Sequence, residues 1–143
     1  MSSFKSDLAF GDKYQEQYIA SMNPQPSFLE VKKGYFKPYD FIADGVKYEC
    51  KADRMAHTTG NLCIEYFSRG SPSGIATSEA DFWIYMLVAP DGNVSDTFKI
   101  PGDALKEEIA NKSYTRDVAG GDNWTNKMYL FAKSVFAAYR INQ

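Results

Sequence analysis

The chain has 143 residues, 44% of them hydrophobic and 24% charged, with a net charge of −2; this length suits one domain around one core, with no room for a separate regulatory module. Slight acidity counts against an extended nucleic-acid surface, so any phosphate-binding groove must gather its lysines and arginines locally. The longest apolar run, Phe82 to Ala89, is too short to span a bilayer, and Met1 to Asp7 shows no export signal, so a cytoplasmic location is expected.

In chain order, Leu8, Phe10, Tyr14, Tyr18, Ile19 and Met22 recur near the helical period and predict a helix from Asp7 to Met22, ended by Asn23-Pro24-Gln25-Pro26. A short strand at Phe28 to Val31 follows, then a Lys32-Lys33-Gly34 turn. Tyr39 to Ala43 and Val46 to Lys51 flank Asp44-Gly45 and read as a hairpin. A loop carries Asp53, Arg54 and His57, and Asn61 to Phe67 alternates as a further strand. Arg69 to Gly74 reads as a loop, Ala76 to Ala80 as a helical turn, and Asp81 to Ile84 opens a fully buried strand. Beyond the Asp91-Gly92-Asn93 turn come a strand at Val94 to Ile100, a helix at Pro101 to Lys112 and a loop at Gly120-Gly121-Asp122-Asn123. Lys127 to Ile141 mixes a strand with a C-terminal helix. The fold class expected is α/β in the α+β sense, a central mixed sheet flanked by helices.

The hairpin concentrates the chemistry. A two-residue turn at Asp44-Gly45 pairs Ala43 with Val46, Ile42 with Lys47 and Phe41 with Tyr48, which sets Asp40 opposite Glu49. By strand alternation Lys51 shares the face of Glu49, while Tyr39, Phe41, Tyr48 and Cys50 face the other way. Opposed carboxylates destabilise a sheet, and a divalent cation held by carboxylate oxygens offsets that repulsion. The ordinary alternative, a solvated hairpin face with an ion pair, leaves the opposed carboxylates unexplained.

Asp40, then Glu49-Cys50-Lys51 on the far arm of the hairpin, resembles the signature of the PD-(D/E)XK nuclease superfamily, which includes restriction endonucleases and Holliday-junction resolvases. The proline departs from that pattern, lying at Pro38 before Tyr39-Asp40. The resemblance implies a restriction-endonuclease-like core of order α-β-β-β-α-β, with Asn61 to Phe67 as its third strand. It implies Mg²⁺ or Mn²⁺ held by Asp40, Glu49, the Cys50 carbonyl and Glu16 on the first helix, with Lys51 serving the attacking water and the phosphate.

Glu65 could point into the same cleft, and Arg54, Arg69 and Lys127 are candidates to grip phosphates. His57, the only histidine, is not required by this architecture. Cys50 and Cys63 lack metal-ligand spacing and read as packing residues. Trp83 belongs to the core, whereas Trp124 follows a polar loop and is placed to stack or mediate an interface. The expected function is a DNA endonuclease, structure-selective because so short a chain has little beyond its core to read bases, and homodimeric because it must cut two strands. The runner-up is a sequence-specific restriction enzyme whose Arg69 to Gly74 or Arg116 to Thr125 loops would enter a groove. A non-catalytic module of the same fold and a hydrolase of another phosphoester complete the alternatives.

Overall fold

A computed structural model describes residues 4–34, 38–120 and 125–141. The elements are α1 (Phe4–Ser21), β1 (Leu29–Val31), β2 (Phe41–Ala43), β3 (Val46–Asp53), α2 (Arg54–Thr59), β4 (Asn61–Ser68), β5 (Ser71–Pro72), β6 (Phe82–Val88), β7 (Val94–Pro101), α3 (Gly102–Ala110), β8 (Arg116–Gly120), β9 (Asn126–Ala132) and β10 (Arg140–Ile141). Short 3₁₀ turns cover Gly74–Ala76 and Lys133–Tyr139. No helix among the described residues is long and apolar enough to cross a membrane.

The strands form two sheets. The first has six strands in the order β1-β2-β3-β6-β7-β10, and the second has four in the order β5-β4-β9-β8. The first sheet is mixed: β3 pairs antiparallel with β2 and parallel with β6. The mixed α+β class is therefore present. The strand expected at Asn61 to Phe67 as the third of the core runs from Asn61 to Ser68 and pairs with β9 in the second sheet. The strand beside the hairpin is Phe82–Val88, whose near-continuous apolar sequence suits a strand covered on both faces.

Strand alternation divides the core in two. Tyr48 on β3 and Ile84, Met86 and Val88 on β6 face α1, where Tyr14 and Tyr18 pack with Phe41 and Ala43. Trp83, Tyr85 and Leu87 point to the opposite face and pack against Leu62, Ile64, Phe131, Leu105 and Phe136. Trp83 is thus a core residue, only 5% exposed. The two layers also meet at the free edge of β4, where the Cys63 amide donates to the Tyr85 hydroxyl at 2.9 Å. That hydroxyl in turn donates to Asp53.

The segment read as a loop around Arg54 and His57 is helical. Asp53 caps it, accepting from the amides of Met55 (2.8 Å) and Ala56 (3.1 Å), and Gly60 ends it in the left-handed region at φ 74°. The C-terminal segment forms β9, a pair of 3₁₀ turns and β10 in place of an α-helix. Arg116–Gly120 is a strand, so the loop expected from Arg116 to Thr125 begins only after it. Gly121, Asp122, Asn123 and Trp124 lie outside the described residues.

Candidate active site

The hairpin has the register its turn dictates: Ala43 with Val46, Ile42 with Lys47, Phe41 with Tyr48. Asp44 and Gly45 both take positive φ, 48° and 84°, as a two-residue turn between twisted strands requires. The ladder stops at Phe41, and there the expectation changes. The Asp40 amide also donates to the Tyr48 carbonyl, at 2.8 Å, so the regular alternation ends before Asp40 and Glu49 become ladder partners. Tyr39 accordingly lies on the Lys47 side, with the Lys47 ammonium 5.3 Å from its ring centroid, and not with Phe41 and Tyr48.

Asp40 is buried, 6% exposed, and its Oδ2 accepts the Cys50 amide at 2.7 Å. That hydrogen bond supports the carboxylate without a cation, and it removes the premise that only a metal could relieve an opposed pair. Asp40 does not line the cleft described next.

Glu49 and Lys51 do line it. They occupy alternate positions of β3 on the face away from α1, beside Trp83 and Tyr85 of β6. Together with Cys63 and Glu65 of β4 and the Ser73–Thr77 segment they bound a cavity of about 370 Å³. Cys50 borders it as well. Glu65 is held by the residue that follows β5: Ser73 Oγ donates to its Oε2 at 3.0 Å, and a register shift between Glu65 and Phe67 bends β4 there. Gly74 sits over the Glu65 carbonyl, so close that a Cβ would fall 2.1 Å from the oxygen. Burial pushes the Cys63 thiol above its ordinary range, against the pull of the Lys51 ammonium. Cys63 is a wall residue of the cavity, its Sγ 2.9 Å from Met128 Sδ.

Glu16 is elsewhere. Tyr14 and Tyr18 turn α1's buried face onto the even residues of β3, which leaves Glu16 exposed. It borders a separate groove with Asp12, Val31 and Lys33 on the α1 side of the sheet, whereas Glu49 and Lys51 face the other side. The expected ligand set of Asp40, Glu49, Cys50 and Glu16 is thus divided. Among the described residues no group of three or more His, Cys, Asp or Glu side chains gathers to hold a metal.

Of the expected phosphate contacts, Arg54 opens α2 and is the best placed. Its guanidinium stacks 3.8 Å from the Phe10 ring centroid, and it borders a second cavity of about 810 Å³ that shares Cys50, Lys51 and Cys63 with the first. Arg69 lies at φ 51° in the β4–β5 turn. Lys127 is a strand residue on β9, its ammonium 5.1 Å from the Phe67 ring centroid. Neither borders either cavity. His57 Nδ1 meets Ser95 Oγ at 2.9 Å, away from the cleft. Trp83, assigned to the core, also walls the cleft; nothing in its apolar surroundings in the sequence marked that second role.

No protein-family model matches the chain, and no curated protein does so.

Proposed function

We propose that the chain is a metal-dependent DNA endonuclease with a restriction-endonuclease-like core, hydrolysing phosphodiester bonds in the cleft between β3 and β4. One observation carries the reading: Glu49, Lys51 and Glu65 border a single cavity. The order of elements within the first sheet supports it. With β4 and β5 set aside to the second sheet, α1-β1-β2-β3-α2-β6 follows the order α-β-β-β-α-β, with β3 as the third strand, the place that the sequence assigned to Asn61–Phe67, and β6 as the fourth.

Two carboxylates and an ammonium in an open cleft suit Mg²⁺ or Mn²⁺, which is typically held through one or two carboxylates and keeps several waters for exchange with phosphate oxygens. Glu49 and Glu65 would hold the ion, which when bound polarises the phosphodiester and acidifies a coordinated water. Lys51 binds a non-bridging phosphate oxygen and stabilises charge as the bond breaks. Asp40 positions the site by anchoring the Cys50 amide between Glu49 and Lys51. Arg54, stiffened by Phe10, takes the phosphate of a flanking nucleotide. Substrate selection by DNA shape, as at a branched junction, is the preferred form of this reading.

The second reading is a non-catalytic phosphate-binding module, favoured by the absence of a three-ligand cluster among the described residues. One panel separates the two. Linear duplex, single-stranded and four-way-junction DNA are incubated with wild type, Glu49→Gln and Lys51→Ala in Mg²⁺, Mn²⁺ or EDTA. The nuclease reading expects cleavage with either metal, none in EDTA, and a loss of about 100-fold or more in each variant. Retained DNA binding without cleavage selects the second reading. Cleavage that survives Lys51→Ala refutes the mechanism.

A further inference from the structure

We propose that β1 is a homodimer edge, pairing antiparallel with β1 of a second copy about a two-fold axis through Val31. The inference does not depend on nuclease activity.

β1 ends the first sheet. Its inward bonds to the hairpin are made at even positions: the Asp44 amide donates to the Phe28 carbonyl at 2.9 Å, and the Lys32 amide donates to the Asp40 carbonyl at 2.8 Å. Leu29 and Val31, one residue out of phase, direct their amide and carbonyl groups away from the sheet. The side chains are unusually apolar for an edge. Phe28 is 58% exposed, Leu29 42% and Val31 39%, and Leu8 of α1, beside Val31, is 49% exposed.

Charge selects one occupant and one register. Antiparallel self-pairing centred on Val31 sets Val31 against Val31, Leu29 against Lys33 and Glu30 against Lys32, each contact made twice by symmetry. The odd positions become the hydrogen-bonded pairs, matching the outward backbone groups. Glu30 and Lys32 become the non-hydrogen-bonded pairs, where side chains lie closest. Centring on Glu30 or on Lys32 would oppose like charges, so of the three neighbouring registers only this one is complementary. Within one chain Glu30 and Lys32 form a 3.0 Å ion pair, with the Lys32 ammonium 5.5 Å from the Tyr39 ring centroid, so both charges lie on the face that the two cross-strand pairs share. On the opposite face the Lys33 stem covers Leu29, and Leu8 and Val31 add the apolar contact.

Sedimentation velocity over a range of concentrations tests this on the full chain. Wild type is expected to dimerise. Glu30→Lys and Lys32→Glu are each expected to weaken the dimer about tenfold or more, because each places like charges in both symmetry-related pairs. Mixed in equal amounts, these two variants are expected to associate again, since every cross-strand pair is then opposite in sign. Val31→Pro, which removes an outward amide and no β1–β2 bond, is expected to be a folded monomer by circular dichroism. A monomeric wild type overturns the proposal. So does a dimer insensitive to both charge reversals, or a mixture that fails to associate.

Discussion

Tyr85→Phe tests the tie between the two sheets with almost no change in volume. The ring is fully buried; its hydroxyl accepts the Cys63 amide at 2.9 Å and donates to Asp53. Removing the oxygen takes the Cys63 amide's acceptor away, a cost of about 1–3 kcal/mol. Asp53 loses less, about 0.5–1.5 kcal/mol, because it is partly exposed and keeps the Met55 and Ala56 amides. The expected loss is about 1.5–4.5 kcal/mol, which for a chain of this length lowers Tm by roughly 5–15 °C. Urea and thermal unfolding at pH 7 measure it. The pH dependence supplies a second readout. Burial first, and the Asp53 carboxylate second, hold the Tyr85 phenol well above its ordinary value of 10.0. The folded chain then keeps a proton that the unfolded chain releases, so this contribution is whole below pH 10 and is lost as pH rises from there through the folded pKa. Wild type should lose stability more steeply than Tyr85→Phe on that alkaline side. A variant within about 0.5 kcal/mol of wild type at pH 7, with an unchanged alkaline limb, would refute the reasoning.

Asp40→Ala leaves the Cys50 amide without its acceptor and should cost about 1–3 kcal/mol, whereas Asp40→Asn keeps an oxygen in place and should stay within about 1 kcal/mol of wild type. If Asp40 positions the site without holding the metal, Asp40→Asn retains most Mg²⁺-dependent cleavage; its complete loss with an intact fold would make Asp40 a metal ligand. Gly74→Ala combines a Cβ 2.1 Å from the Glu65 carbonyl with φ of 53°, so it should destabilise by at least about 2 kcal/mol and displace Glu65. Wild-type melting together with wild-type cleavage in Gly74→Ala would remove the Ser73–Thr77 segment from the site.

Local chemistry made much of the first sheet legible. Asp44-Gly45 fixes the hairpin register, the apolar run at Phe82 announces a strand covered twice, and Pro101 starts the following helix where proline is tolerated. The short helix α2 was readable too, since Asp53 and Gly60 are an ordinary cap and stop, but six residues carry too little periodicity to show it. The second sheet was not legible. Its pairing of Asn61–Ser68 with Asn126–Ala132 joins segments far apart in the chain, and alternation says which residues share a face without saying which strand lies alongside. For the same reason Glu65 could be placed in the cleft of Glu49 and Lys51, whereas Glu16 could not be excluded from it: only the packing of Tyr14 and Tyr18 on Tyr48 decides the side of the sheet. The pairing of Asp40 with Glu49 was not legible for another reason: the regular ladder ends at Phe41, one residue before the alternation argument needs it.

β3 also constrains how the chain can change over time. Its even residues are read by the aromatic layer under α1 and its odd residues by the cleft, so neighbouring codons such as those for Tyr48 and Glu49 answer to separate demands. Charge in the cleft can drift with little effect on the α1 layer, and the reverse. A single-residue insertion or deletion in the Asp44-Gly45 turn has no such freedom. It would exchange the two sets at once, carrying Glu49 and Lys51 against Tyr14 and Tyr18 and setting Tyr48 in open water. Substitution at this strand is therefore modular, while a change in its length is not.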